Sequence, residues 1–317
     1  MIDATGSDCP DVAKPDLTVD IGGLRLASPV VTASGTFGFG KEYEPFLDLS
    51  RLGAIVVKGL TVEPRAGNSG TRICETPSGL LNCIGLQNPG VNSYIDHEWQ
   101  RLRELGTPVI VNVSGAVIED YVEVSRRLSD AEAAHALEVN ISCPNVKKGG
   151  MAFGTDPSEA ARVVAAVRAV TDIPLIVKLS PNVSDVGGVA RAVEDAGADA
   201  LSLINTVLGM VIDVDRQRPV LGVTFGGLSG PAVRPIAVRM VWQAYEAVRI
   251  PIIGMGGIQT GRDAVQFMLA GAEAVAVGTG GFRDPECLEH VLDGITEYLV
   301  SRGYRSSREI VGLAHGG

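Results

Sequence analysis

The stretch Glu138 to Gly150 reads EVNISCPNVKKGG, an apolar strand-like run that delivers a thiol, Cys143, to the mouth of a loop between asparagines 140 and 145. A thiol in that setting has three possible chemistries. A free cysteine is by default a small core residue; as a nucleophile it needs a base beside it; as a general base it takes a proton with an unperturbed pKa of about 8.5. The adjoining proline and asparagines point to a rim, not a core, and none of the motif loops carries a histidine that could activate a nucleophile. The five cysteines (Cys9, Cys74, Cys83, Cys143 and Cys287) are odd in number and scattered, with no C-x-x-C pair. That pattern fits neither a disulfide framework nor a zinc or iron-sulfur site of the usual spacing in this chain.

Six polar residues stand near the C-terminal ends of apolar runs: Ser34, Lys58, Asn112, Asn140, Lys178 and Asn205. One asparagine at a strand end is ordinarily a turn former and one lysine ordinarily solvated. Six in equivalent positions indicate a shared site. Burying an unpaired ammonium is costly, so two lysines there call for anionic or electron-rich partners, which an anionic cofactor would supply. Gly256-Gly257 and Gly278-Thr279-Gly280-Gly281 end the last two apolar runs, where exposed backbone N–H groups suit a phosphate. Amides both donate and accept, matching a flat heterocycle with carbonyls and ring N–H groups. The pocket shows few acids, which argues against metal chemistry.

The elements that must carry these residues repeat along the chain. Leu17 to Pro29 reads as a hairpin turning at Gly22-Gly23, followed by eight strand candidates at 29–33, 54–58, 109–113, 137–141, 175–179, 200–204, 252–256 and 274–278, most of them separated by helical patterns. Asp156-Pro157 with Glu159, Ser184, and Asp284-Pro285 mark helix starts. Ala196-Gly-Ala-Asp-Ala200 and Ala270-Gly-Ala-Glu-Ala274 occupy the same place between helix and strand. Near-continuous apolar strands need both faces covered, so the expected fold is a single-domain α/β (β/α)8 TIM barrel over residues 1–317, with a doubly wound open sheet as the alternative. No G-x-G-x-x-G is present to support a dinucleotide-binding sheet. Two excursions, 59–94 and 205–233, exceed simple barrel loops and are expected on the site's rim, while 1–16 and 304–317 read as tails.

A formal charge of -10 without a basic stripe argues against nucleic acid as a partner. The N-terminal MIDATGSDCPDVAK lacks a signal layout, and no run of 18 or more apolar residues is present to cross a membrane. A cytoplasmic protein is expected.

The sequence resembles the dihydroorotate dehydrogenases from Leu17 to about Arg302. The resemblance rests on ASGTFGFG (33–40), VVKGLT (56–61), NCIGLQNPG (82–90), EVNISCPNVKKGG (138–150), SLINT (202–206), GLSGPA (227–232), GMGGI (254–258) and AVGTG (276–280). It implies an FMN-dependent barrel that oxidises dihydroorotate to orotate in pyrimidine synthesis, with Cys143 as catalytic base. Matched position by position, it implies FMN contacts from Ser34, Lys58, Gly59, Asn112, Asn140, Lys178, Ile204, Gly230, Gly256, Gly257, Gly278 and Thr279, the last two pairs taking the phosphate. It implies a substrate pocket of Lys58, Asn82, Cys83, Ile84, Gly85, Leu86, Asn140, Asn145, Asn205 and Thr206. The continuation NVKKGGMAFGTDP (145–157) looks like the NAD-linked class 1B branch, in which the catalytic chain forms a homodimer within a heterotetramer with a subunit carrying FAD and a 2Fe-2S cluster. The alternatives are the homodimeric fumarate-using branch and a related flavin-dependent pyrimidine oxidoreductase.

Overall fold

The computed structural model describes residues 14–142, 144–145 and 151–316. Eight parallel strands form one sheet: β1 (Val30–Thr32), β2 (Ile55–Leu60), β3 (Val109–Val113), β4 (Ala136–Asn140), β5 (Leu175–Lys178), β6 (Ala200–Leu203), β7 (Ile252–Met255) and β8 (Ala274–Val277). β8 pairs with β1, and the ring closes where β1 meets β2. That last seam is thin. It has one bridge, Val31 to Ala54, reinforced by the Thr32 hydroxyl, which accepts from Val56 N–H at 2.7 Å. The expected (β/α)8 barrel is therefore observed, each of the eight strand candidates supplying one stave.

Side chains alternate across a strand, so every stave divides its residues between two cores. Val31, Ala54, Val56, Ile110, Ala136, Ile176, Ala200, Ile253, Met255, Ala274 and Ala276 fill the barrel interior, joined by Val19, Ile21, Leu24 and Leu26 of the N-terminal hairpin. The alternate set, including Val57, Val111, Val139, Val177 and Leu203, packs outward on the helices. These are Ile118–Asp130, Pro157–Arg168, Val186–Asp195, Arg234–Ala247, Gly261–Leu269 and Cys287–Arg302, with a further helical stretch over 91–102. Asp156 caps its helix as expected, accepting from Ser158 and Glu159 N–H. The cap expected at Ser184 falls instead on Asp185, whose carboxylate accepts from Gly188 N–H at 2.9 Å. Asp185 reaches the third amide of the first turn, the geometry an N-cap requires.

The Gly-Ala-acid-Ala repeat has a structural role at the bottom of the barrel. Asp199 accepts from Leu175 N–H at 2.8 Å and Glu273 from Ile252 N–H at 2.9 Å, while His135, at the corresponding place before β4, accepts through Nδ1 from Val109 N–H at 3.0 Å. The residues just before β4, β6 and β8 thus satisfy the first amides of β3, β5 and β7. Burial raises the Glu273 carboxyl to about 7, with the Ile252 amide opposing. Folded Glu273 holds its proton up to that pH, whereas the unfolded chain loses it near 4.5. The folded state is favoured at low pH, and the advantage is lost as pH rises from 4.5 to about 7. Glu273→Gln keeps the carbonyl acceptor and removes the charge. It is expected to raise stability at about pH 8 by on the order of 2 kcal/mol, with the gain vanishing below about pH 4.5. Thermal melts of both proteins across that range check it; a Gln variant no more stable at the alkaline end would disprove the cost.

The two long excursions join in one antiparallel rim sheet, ordered Val207–Gly209, Gly226–Ser229, Gly79–Asn82, Ile73–Thr76. The described parts of the end segments, 14–16 and 304–316, also differ from simple tails. Asp16 bridges Ser306, Ser307 and Ile310 are fully buried, and His315 stacks on Trp242 with ring centroids 3.5 Å apart. Apolar and aromatic residues spaced through 304–316 have a barrel surface to cover, which their polar neighbours disguise in the sequence. Among the described residues, no helix is long and apolar enough to cross a membrane.

Candidate active site

Toward the C-terminal ends of the staves the interior changes from apolar to polar, in register. Two residues beyond Ile110, Ala136, Ile176 and Ala200 come Asn112, Glu138, Lys178 and Ser202. All four are at most 5% exposed. Asn112 stands opposite Glu138, and Lys178 opposite Asn140 on one side and Ser202 on the other. Their side chains form one connected network. Glu138 Oε1 accepts from Asn112 Nδ2 at 2.6 Å and Lys178 Nζ at 3.5 Å, and its Oε2 accepts from Ser202 Oγ at 2.7 Å. Lys178 Nζ also donates to Ser34 Oγ at 3.2 Å. A second branch rises toward the rim from Asn112 through Ser114 to Asn140, where Asn205 Nδ2 donates to Asn140 Oδ1 at 3.3 Å. Asn205 Oδ1 in turn accepts from Thr206 N–H at 2.8 Å.

Five of the six polar residues singled out at strand ends, Ser34, Asn112, Asn140, Lys178 and Asn205, therefore meet in one network. The exception is Lys58. It occupies a register shift in β2 between Val57 and Leu60, a local irregularity of the kind that re-aims a side chain. Its ammonium has no hydrogen-bond or ion-pair partner among the described residues. Burial, and secondarily the nearby Arg72 guanidinium, lower its pKa. Lys58 lines a cavity of about 460 Å³ with Gly35, Gly38, Tyr43, Phe46 and Phe282. Gly59 beside it is required by packing, because a Cβ there would lie 2.6 Å from Asn112 Oδ1.

The anionic partner expected for both lysines, with a cofactor as its source, is for Lys178 supplied by the protein itself as Glu138. Glu138, the acid of this network, is not among the residues singled out from the sequence. The available signal was the alternation of LEVN, which puts Glu138 on the same face as Asn140.

The glycines at the other side of the mouth converge. Gly230, Gly256 and Gly257 all have positive φ, and a Cβ on Gly257 would lie 2.6 Å from Gly230 O. Ile204 packs beside Gly256, and Gly278 lies against Ala33 and Thr36, bringing Thr279 to the side of the ring that holds Ser34. The NCIGLQNPG loop is pinned by Asn88, a buried amide that the motif reading did not single out. Asn88 accepts from Thr61 and Gly90 N–H and donates to Leu86 O at 2.7 Å. Leu86 itself takes φ +56°, an uncommon conformation for a residue with a side chain. Asn82 Nδ2 donates to Gly227 O across the rim sheet. Gly85 lies against Asn68, whose amide N–H donates to Ile84 O at 3.0 Å. Cys83 turns its side chain away, into a small apolar cluster with Leu81 and Leu221. Cys143 lies outside the described residues. Asn145 is described in its backbone, paired with Met151 in a short antiparallel bridge.

The donor set fits FMN. It offers amides for a ring bearing carbonyls and N–H groups, one half-buried ammonium without a partner among the described residues, and closely packed glycine backbone where side chains would obstruct a phosphate. Among the described residues no group of three or more His, Cys, Asp or Glu could hold a metal.

Comparison with known proteins agrees with this architecture. The family model described as dihydroorotate dehydrogenase matches residues 16–299. The chain is 57% identical to the "Dihydroorotate dehydrogenase B (NAD(+)), catalytic subunit" of Desulforamulus reducens, over 95% of this chain and 99% of that one. Proteins of the same description from Geotalea daltonii and Bacteroides thetaiotaomicron are each 54% identical, over 95% and 94% of this chain and 99% and 98% of theirs. With a family model over most of its length and relatives matched nearly end to end, the chain belongs to the dihydroorotate dehydrogenase family.

Proposed function

We propose that this protein oxidises (S)-dihydroorotate to orotate in de novo pyrimidine synthesis, using FMN held at the C-terminal mouth of the barrel. The observation that carries the reading is the connected polar network of Ser34, Asn112, Glu138, Asn140, Lys178 and Asn205 at the C-terminal ends of the strands. FMN, when bound, supplies the acceptor for the hydride that leaves C6 of the substrate. The protein supplies the rest. Asn140 and Asn205, coupled to each other, present amides that orient the pyrimidine's carbonyl and N–H groups. Lys58, whose ammonium has no partner among the described residues, serves the anionic substrate and the flavin edge together. Cys143 takes the proton from C5. Asn140 also fixes the approach to that base, since its Oδ1 accepts from Ser142 N–H at 3.2 Å, one residue before Cys143.

Electrons then pass to NAD+ through a partner subunit with FAD and a 2Fe-2S cluster. The printed descriptions of the relatives, catalytic subunits of NAD(+) enzymes, favour this acceptor over fumarate. A homodimeric core within a heterotetramer is supported by apolar residues exposed along one excursion, among them Leu208, Ile212, Val214 and Phe225. The enzyme is placed in the cytoplasm.

The test is an absorbance spectrum of the purified protein before and after anaerobic dihydroorotate. A yellow protein that bleaches on addition is expected. Colourless protein, or flavin that stays oxidised, would refute the reading. For the acceptor, co-purification with a second, iron-containing chain is expected, and a lone yellow dimer that reduces fumarate would overturn it.

A further inference from the structure

Glu138 is the most enclosed acid of the polar layer, 2% exposed, and its carboxylate takes three donors from three different strands. A carboxylate is acceptor-only, so amide, hydroxyl and ammonium all converge on it without competing for a proton. Asn112 and Ser202 occupy both oxygens, which fixes the carboxylate, and the fixed carboxylate in turn fixes where Lys178 Nζ can lie. Ser34 holds the same ammonium from β1's side. Lys178 thus stands in a defined place with its charge countered, in a layer where an uncountered ammonium would be costly.

Resting on the reading that FMN binds against Lys178, we propose that Glu138 is a positioning residue that sets the reduction potential of the flavin. A lone ammonium beside a ring that gains electrons stabilises the reduced form. A carboxylate 3.5 Å behind that ammonium cancels much of its field. The pair therefore delivers a directed hydrogen-bond donor to the flavin with little net charge. A purely structural acid would affect folding and flavin retention and leave the potential where it was.

The experiment is the midpoint potential of bound FMN in the holoenzyme, measured spectroelectrochemically. Glu138→Gln keeps the shape and one acceptor oxygen and removes the charge, so the potential is expected to shift upward. Glu138→Asp keeps the charge and is expected to stay near the parent. If Glu138→Gln does not fold with its buried ammonium uncountered, Lys178→Gln is compared with the Lys178→Gln, Glu138→Gln double variant. The potential is then expected to be higher in the double. An unchanged or lowered potential in either comparison overturns the proposal, as does an Asp variant that shifts as far as the Gln variant. A parent protein that holds no FMN would instead remove the functional reading itself, so the two failures are told apart by the parent's spectrum.

Discussion

Cys143→Ala is expected to retain bound FMN and to slow its anaerobic reduction by dihydroorotate by about 10²- to 10⁴-fold, the range a positioned general base contributes. The flavin contacts assigned to the barrel come from strand ends and glycines elsewhere in the ring, so the chromophore survives the change. Only a few per cent of an unperturbed thiol is ionised at neutral pH, so the parent's reduction rate should climb into the alkaline range toward a pKa of about 8.5. The variant should lose that limb. Stopped-flow reduction of both proteins across pH measures this directly, and a near-parental rate in the variant would remove Cys143 from the mechanism. Cys143→Ser separates ionisation from size: it is expected to remain slow, because a hydroxyl of similar size is essentially un-ionised across the pH range in which the thiol becomes thiolate.

The second large effect is expected from Lys58→Ala. Lys178 is satisfied by Glu138 and Ser34 within the protein, whereas the half-buried Lys58 ammonium has no such partner among the described residues. Charged hydrogen bonds contribute about 1.5–3 kcal/mol, so losing one should weaken dihydroorotate binding by roughly 10- to 100-fold and also lower FMN retention. Because burial and Arg72 already depress its pKa, Lys58 should lose its proton at a lower pH than a free lysine, and an anionic ligand should pull that pKa back up. Substrate affinity in the parent should therefore fall as pH rises through the lowered Lys58 pKa, and this dependence should be absent from the variant. Titration of orotate, monitored by flavin absorbance, gives both quantities. Unchanged affinity together with unchanged FMN occupancy would show that Lys58 serves neither ligand.

Much of the barrel is written locally. Val109–Val113 and Leu175–Lys178 are buried on both faces, so their apolar runs are nearly continuous and can be recognised without knowing their neighbours. The polar residues near their ends are legible for the same reason, since each interrupts a run at the same place. Ser184 against Asp185 shows the limit of that reading at a single residue: both are acceptable caps, and only the backbone angle decides which side chain reaches Gly188. The Gly-Ala-acid-Ala repeat was visible as a repeat, but its purpose, an acceptor for the first amide of the neighbouring odd strand, depends on which strand lies alongside.

The sequence by itself determined the eight staves, their order of alternation with helices, and the residue types brought to one rim, because periodicity and strand-end chemistry are properties of short segments. The tertiary structure decided which of those residues touch. Ring closure and register place Glu138 between Asn112, Lys178 and Ser202, and join Gly79–Asn82 to Gly226–Ser229 in a rim sheet. They also bring Asp16 beside Ser306. Pairings over such separations have no local signature: a hydrogen bond's partner is fixed by where the closed ring places the other strand, and a one-residue change in register would turn Glu138 out of the barrel.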